Sequence, residues 1–126
     1  DNTIKLWNSQ SGLCINTLAE HKNRIRSISF SPEGKSIVSG SDDQTIKFWD
    51  VQTGRCFKTL SGHTGWVSSV CFSPDDQHLI SGGDPKTIKI WDVHSGKKII
   101  FINVTCTTFF YTLCLHDGLP FSSQLQ

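Results

Sequence analysis

The chain has 126 residues, a length that corresponds to about one domain. Its formal net charge is +1, and 37% of its residues are hydrophobic. Its Lys and Arg residues are scattered and form no basic stripe, so nucleic acid is not expected as a partner. The uncharged stretch 99–115 carries Asn103 and four threonines and is at the lower length limit for a membrane helix, so no membrane span is expected.

The first predicted elements are two strands within residues 1–18. Asp1-Asn2-Thr3 is a tight turn that leads into a strand ending at Trp7. Gly12 supplies the positive φ that the next turn requires, and a second strand follows from Leu13 to Leu18. These residues therefore predict a partial repeat made of one strand pair.

Residues 19–60 predict four short strands, with no room for a helix between them. Apolar and polar residues alternate along the candidate strands, which is the period of a β-strand. Turn residues separate them, for example Pro32 and Gly34 after the first strand. The sequence therefore predicts one four-stranded antiparallel sheet, with strands at 25–30, 36–41, 45–50 and 55–60.

Residues 61–102 repeat this plan at a fixed spacing. The sextet Thr45-Ile46-Lys47-Phe48-Trp49-Asp50 has close relatives at 3–8 and at 87–92, so that Trp7, Trp49 and Trp91 are equally spaced along the chain. We call this spacing the repeat period. A period of roughly 20–50 residues is typical of solenoids and propellers, in which each repeat is one supersecondary unit. The repeat period predicts a second full repeat over residues 61–102.

The remaining residues, 103–126, predict a degenerate or divergent partial repeat. A strand is expected over Phe109 to Cys114, where the repeat period puts one, but Pro120 weakens the following position.

The five cysteines are an odd number without CxxC spacing, and no signal-peptide pattern opens the sequence. We expect structural free thiols, no metal, no cofactor and a reducing, cytoplasmic location.

The repeats resemble the WD-repeat β-propeller family. Gly62-His63 opens a repeat that ends at Trp91-Asp92, with Ser-Pro-Asp between them, and Trp49-Asp50 fits the same pattern with Glu20 in place of Gly before His21. The regularity also resembles that of bacterial multi-repeat signalling propellers. The resemblance implies an all-β partial β-propeller built of tandem four-stranded antiparallel blades.

About three blades' worth of strands would make an incomplete ring, because a closed propeller needs roughly four to eight blades. We therefore expect a fragment of a larger signalling or assembly protein, with exposed blade faces through which it self-associates.

The resemblance also implies a structural set of polar residues in each blade. A buried carboxylate needs a partner and a buried indole N–H needs an acceptor, which a His and a Ser can connect. Ser, His and Asp also form catalytic triads, but recurrence of the set and serines inside strands favour a structural role. A His-Asp metal site is the other alternative. The set is His21, Ser39, Asp43 and Trp49, then His63, Ser81 and Trp91, with Pro85 where Asp is expected.

Binding is expected at the loops, on the rim where the His loop and the Asp turn emerge. The rim residues are Arg24, Trp66, Asp42 and Asp84. Trp66 could instead pack between blades, and the aspartates could instead cap turns. The predicted function is a non-catalytic scaffold for a protein or peptide partner. The alternative is a sensor or regulatory propeller of an ATPase or kinase whose catalytic part lies elsewhere, and a purely structural block is a third hypothesis.

Overall fold

The computed structural model describes residues 2–83 and 87–103, in which every regular element is a β-strand. This confirms the all-β prediction for the described residues. The strands in chain order are β1 (Ile4–Trp7), β2 (Cys14–Leu18), β3 (Ile25–Phe30), β4 (Ser36–Ser41), β5 (Thr45–Asp50), β6 (Cys56–Ser61), β7 (Val67–Phe72), β8 (His78–Gly83), β9 (Thr87–Asp92) and β10 (Lys98–Asn103).

The strands form three antiparallel sheets. The first sheet pairs β1 with β2, the second has the order β3-β4-β5-β6, and the third has the order β7-β8-β9-β10. Within the described residues the sheets do not close into a ring, so the architecture is the partial propeller that the sequence predicts. The predicted strand at Phe109 to Cys114, and nearly all of the predicted partial repeat 103–126, lie outside the described residues.

Strands separated by one repeat period occupy equivalent places in successive sheets. Trp7, Trp49 and Trp91 lie near the ends of β1, β5 and β9, each of which pairs with the strand that follows it. A turn position also repeats: Gly34 has φ 77° and its counterpart Asp76 has φ 63°. Aspartate is one of the few residues other than glycine that adopts this left-handed conformation readily, so the turn survives the substitution.

The second sheet is covered on both faces. One face packs on the first sheet around Ile4, Leu18, Ile37 and Trp49. The other face packs on the third sheet, in a cluster of Val38, Ile46, Phe48, Leu60, Val67, Val70, Phe72, Leu79 and Trp91. Simple alternation of buried and exposed residues therefore fails in β5, where Phe48 and Trp49 are both buried.

Strand β3 departs from the pattern of its counterpart β7. Both strands share a register shift, between Ile25 and Ser27 in β3 and between Val67 and Ser69 in β7. However, Ile28 and Phe30 are exposed in β3, whereas Val70 and Phe72 are buried in β7. Among the described residues, no sheet covers the side of β3 on which these two side chains lie.

The cysteines differ in part from the expectation. Cys14 and Cys56 are free thiols, as predicted. Cys71 forms a disulfide bond, so the prediction of free thiols is wrong for this residue. No helix in the described part of the chain is long and apolar enough to cross a membrane.

Candidate functional site

A chain of hydrogen bonds crosses the interior of the second sheet. Trp49 Nε1 donates to Ser39 Oγ at 2.8 Å, and Ser39 Oγ lies 2.6 Å from His21 Nε2. His21 Nδ1 lies 2.8 Å from Asp43 Oδ2. These distances fit a neutral His21 that donates from Nδ1 and accepts the hydroxyl proton of Ser39 at Nε2. Each polar group of the set then has a partner, as burial requires.

Asp43 lies in the turn between β4 and β5, and further hydrogen bonds fix it there. Its Oδ1 accepts from the Thr45 hydroxyl at 2.5 Å and from the Thr45 amide at 2.9 Å, and Oδ2 accepts from the Lys22 amide at 3.0 Å. Burial acts to raise the pKa of Asp43, but the hydrogen bonds from Thr45, His21 and the backbone lower it to about 2. The carboxylate therefore stays charged and orients His21.

The third sheet repeats the buried part of this chain. Trp91 Nε1 donates to Ser81 Oγ at 2.8 Å, and Ser81 Oγ lies 2.7 Å from His63 Nε2. The counterpart of Asp43 is Pro85, which lies outside the described residues together with Asp84. The structure thus brings together His21, Ser39, Asp43 and Trp49 in one sheet and His63, Ser81 and Trp91 in the next.

The two histidines have a low proton affinity. Burial lowers the pKa of His63 to about 4, and the charges of Lys89 and Lys98 act in the same direction. Burial also lowers the pKa of His21, although the hydrogen bond and charge of Asp43 partly offset this. Both imidazoles are therefore neutral at pH 7, as the hydrogen-bond chains require.

The two hydrogen-bonded sets of His, Ser and Trp are better placed for a structural role than for catalysis. Ser39 and Ser81 are both fully buried, so neither hydroxyl can reach a substrate. Within residues 2–83 and 87–103, no group of three or more His, Cys, Asp or Glu side chains could hold a metal ion.

Acidification is expected to destabilise the fold between pH 6.5 and 4. In this range the unfolded chain protonates His63 and His21, whose ordinary pKa is 6.5, while the folded chain resists protonation. The unfolded state therefore binds more protons, and the stabilisation present above pH 6.5 is lost as the pH falls. Thermal denaturation followed by circular dichroism should show a falling Tm from pH 7 to 4.5.

The matched variants are His63→Gln and His94→Gln. His63→Gln should flatten the dependence of Tm on pH, although the variant itself is less stable, because Gln does not titrate. His94 is exposed and serves as the control, which should keep the wild-type slope. Parallel slopes for wild type and His63→Gln would show that another group dominates.

At the rim, Arg26 contacts two of the predicted residues, Asp42 and Trp66, although the sequence analysis did not single it out. Arg26 Nε donates to Asp42 Oδ1 at 2.6 Å, and Nη2 donates to Oδ2 at 3.1 Å. The same guanidinium lies 4.7 Å from the ring centroid of Trp66, in the loop before β7. The hydrogen bond from Arg26 to Asp42 raises the pKa of Arg26 further above its usual range. Arg26 thus connects the rims of the second and third sheets.

The structure describes three of the four predicted rim residues. Trp66 is 49% exposed, and its ring contacts the Arg26 guanidinium of the neighbouring second sheet. Arg24 is exposed, and its carbonyl accepts from the Asp42 amide at 2.8 Å, which keeps it at the same edge. Asp42 is paired with Arg26, which donates to both of its carboxylate oxygens. Asp84 lies outside the described residues.

A comparison of the two full repeats could have identified Arg26 from the sequence. Its counterpart one repeat period later is Ser68, so Arg26 is a charged residue where the other repeat has a small polar one. Departures from a repeat pattern indicate positions that are not needed for the common fold.

Stacked four-stranded sheets, each tied together by a buried His-Ser-Trp chain and presenting its exposed groups on loops, define a repeat module of the propeller type. The family model described as "WD domain, G-beta repeat" matches residues 12–50 and 54–92, more than half of the chain. This chain belongs to the WD40 repeat family, whose domains mediate protein–protein interactions.

The chain is similar to curated proteins over single stretches. It is 51% identical over 39 residues to nuclear distribution protein PAC1 of Mycosarcoma maydis, covering 31% of this chain and 9% of that protein. It is 50% identical over 44 residues to PAC1 of Arthroderma otae, covering 35% and 9%. It is 46% identical over 35 residues to the mouse F-box-like/WD repeat-containing protein TBL1X, covering 28% and 7%. The match thus spans less than a tenth of the length of each of these relatives.

Proposed function

We propose that this chain is a non-catalytic scaffold module that binds a protein or peptide partner through Arg24 and Trp66 on the rim. The observation that carries the proposal is the state of Trp66, whose ring is half exposed yet contacts the Arg26 guanidinium at 4.7 Å. Trp and Arg are among the residue types most enriched in interface hot spots.

The fixed orientation of Trp66 supports its role as an anchor. Arg26 is itself held by two hydrogen bonds to Asp42, so the ring packs against a positioned group rather than a free side chain. A side chain that is already ordered loses less conformational entropy when a partner covers it. The exposed Arg24 at the same edge adds a charged group to this surface.

The test compares the wild-type chain with Trp66→Ala and Arg24→Ala. Each chain is immobilised and cross-linked to proteins from its source cells, and the bound proteins are quantified by mass spectrometry. Truncating a hot-spot Trp costs about 2 kcal/mol or more, so the recovery of a partner should fall more than about tenfold for Trp66→Ala.

Phe30→Ala is the matched control, because Phe30 is an aromatic residue of similar exposure, 55%, on the strand β3. It should retain the wild-type set of bound proteins. The proposal fails if all three variants retain the same proteins, or if binding is lost only where circular dichroism shows that the fold is lost.

Several further predictions stay predictions at this point. They are the cytoplasmic location, the absence of nucleic-acid partners, self-association through exposed blade faces and the role as part of a larger signalling or assembly protein. The alternative role, as the sensor propeller of an ATPase or kinase, has no described residue that favours it over the scaffold.

A further inference from the structure

The outer strand of each sheet carries an exposed apolar residue at the same position. The outer strands are β2, β6 and β10, each of which pairs with one strand only in the described part of the chain. Ile15, Phe57 and Ile99 are separated by the repeat period and are 59%, 55% and 50% exposed. Single exposed apolar residues are common on protein surfaces, but exposure of the same position in three sheets indicates a shared surface for binding.

A β-bulge sets the direction of each of these three side chains. In the pairing of each outer strand, one residue is left without a residue opposite it, namely Ile15 in β2, Phe57 in β6 and Ile99 in β10. A bulge re-aims the side chain of the extra residue and interrupts the main-chain ladder. An interrupted edge is a poor template for an added strand. A partner is therefore expected to contact these side chains rather than to extend the sheets.

Phe57 stays exposed although a sheet lies on either side of its own. The second sheet packs on the first through Trp49 and on the third through Phe48. The ring of Phe57 lies 6.1 Å from that of Phe48, measured between centroids, with an angle of 50° between the ring planes. Phe57 is thus supported by a core residue while half of its side chain is in water. A supported side chain loses less conformational entropy when a partner covers it.

Hydrogen bonds between successive sheets place a cation beside two of the outer strands. Asn16 of β2 donates to two carbonyl oxygens in the turn before Arg55. One repeat period later, Lys58 of β6 donates to two carbonyl oxygens in the turn before Lys97. The approach is close, since a Cβ atom at Gly54 would lie 3.3 Å from Asn16 Cγ. Arg55 therefore lies next to β2, and Lys97 lies next to β6.

The surface formed by these residues is positively charged. We call it the outer surface and define it by Ile15, Arg55, Phe57, Lys97 and Ile99. The segments 13–18, 55–60 and 97–102 contain four Lys or Arg residues and no Asp or Glu. Within residues 2–83 and 87–103, neither Arg55 nor Lys97 forms an ion pair. The carboxylates of the adjoining turns, Asp50 and Asp92, accept amide hydrogens of those turns. Charge complementarity therefore favours an acidic partner.

We propose that the outer surface binds an acidic segment of a partner protein. Apolar side chains of the segment cover Ile15 and Phe57, and its carboxylates pair with Arg55 and Lys97. The segment runs across successive sheets, because each sheet offers the same apolar position followed by a cation of the next sheet.

The outer surface is separate from the rim. Ile15 and Phe57 are the second residues of β2 and β6, whereas the rim residues Arg24 and Trp66 lie in the loops that follow the last residues of these strands. The proposal therefore does not depend on the partner that binds at the rim.

The test selects peptides on the full chain with Trp66→Ala, so that peptides which need the rim tryptophan are not recovered. The probe is a library of random linear peptides displayed on phage. The recovered sequences should be enriched in Asp and Glu together with Leu, Ile and Phe. Fluorescence anisotropy of a recovered peptide, labelled with fluorescein, then gives its Kd for this parent chain and for further variants.

Phe57→Ser in the parent chain should weaken the binding of this peptide by more than about tenfold, because the apolar contact is lost. Phe30→Ser is the matched control and should leave the Kd unchanged. Phe30 has the same exposure as Phe57 but lies on β3, at the opposite edge of the same sheet.

Lys97→Glu should weaken binding by about three- to tenfold, because it replaces attraction by repulsion. Lys22→Glu makes the same change of charge at an exposed residue of the loop before β3 and should leave the Kd unchanged.

Three results would overturn the proposal. The first is recovery of no peptide, or of peptides without an excess of acidic residues. The second is binding to Phe57→Ser or Lys97→Glu that is as tight as binding to its matched control, when circular dichroism shows all variants to be folded. The third is a different occupant, shown by a dimer in sedimentation velocity that Phe57→Ser dissociates, or by binding to phosphatidylserine vesicles that Phe57→Ser abolishes. Because the parent chain already lacks the Trp66 side chain, failure of the rim proposal and failure of this one are separate results.

Discussion

Trp49→Ala is expected to lower the free energy of unfolding by about 3–5 kcal/mol, whereas Trp7→Ala should change it by no more than about 0.5 kcal/mol. The two tryptophans occupy the same position in successive repeats, but Trp49 is 1% exposed and Trp7 is 59% exposed. Removing Trp49 leaves a cavity beside Ile4 and Leu18 and also leaves Ser39 without its donor. Removing Trp7 removes a side chain that is mostly in water.

Urea denaturation followed by far-ultraviolet circular dichroism measures both variants without using tryptophan as the reporter. The pair is matched in chemistry, strand type and position within the repeat. Similar losses for the two variants would contradict the structure, because they would place Trp7 in a buried environment as well.

Gly40→Ala is the second substitution with a large expected effect, a destabilisation of about 1–3 kcal/mol. In open space, replacing Gly with Ala in a strand stabilises a protein, because the unfolded chain loses conformational freedom. At Gly40 the new methyl group would lie 2.6 Å from Val67 Cγ1 and 3.1 Å from the Val67 carbonyl oxygen. The contact is between the second and third sheets, so the substitution measures how tightly these sheets pack.

The double variant Gly40→Ala with Val67→Ala tests the mechanism. Val67→Ala removes the atom that clashes most closely, so in this background Gly40→Ala should cost at least about 1 kcal/mol less than it does in wild type. Urea denaturation of the four proteins gives the coupling energy. A cost of Gly40→Ala that is the same in both backgrounds would mean that the sheets separate to admit the methyl group.

Much of the fold followed from one regularity in the sequence. The spacing of Trp7, Trp49 and Trp91 fixed the repeat period, and the turn residues between them divided each period into strands. The hydrogen-bonded set His21, Ser39 and Trp49 was also accessible, because the same residue types recur at the same places. Recurrence carries information about what each sheet needs in order to fold.

The repeat pattern could not predict a contact that is present in only one of the repeats. Arg26 pairs with Asp42 and contacts Trp66, but the next repeat has Ser68 in its place. Arg26 lies at a register irregularity between Ile25 and Ser27, which recurs between Val67 and Ser69 in the next repeat. Neither the bulge nor the distance between two sheets can be read from a strand period.

Lys89 shows a second limit of the strand pattern. Alternation along Thr87–Asp92 puts this lysine on the wetter face of its strand, yet it is 5% exposed and its ammonium group donates to the Gly62 carbonyl. Alternation predicts which residues share a face, but a face becomes dry only when something packs on it. The stem of a lysine can be buried when its charged end reaches an acceptor.

Trp49 and Trp91 are each covered by the sheet that precedes their own along the chain. Ile4 and Leu18 of the first sheet shield Trp49, and Val38 and Phe48 of the second sheet shield Trp91. Digestion that trims residues 2–18 would therefore expose the indole of the second sheet and leave that of the third untouched. Proteolysis that starts at the first sheet should therefore expose Trp49 before it exposes Trp91.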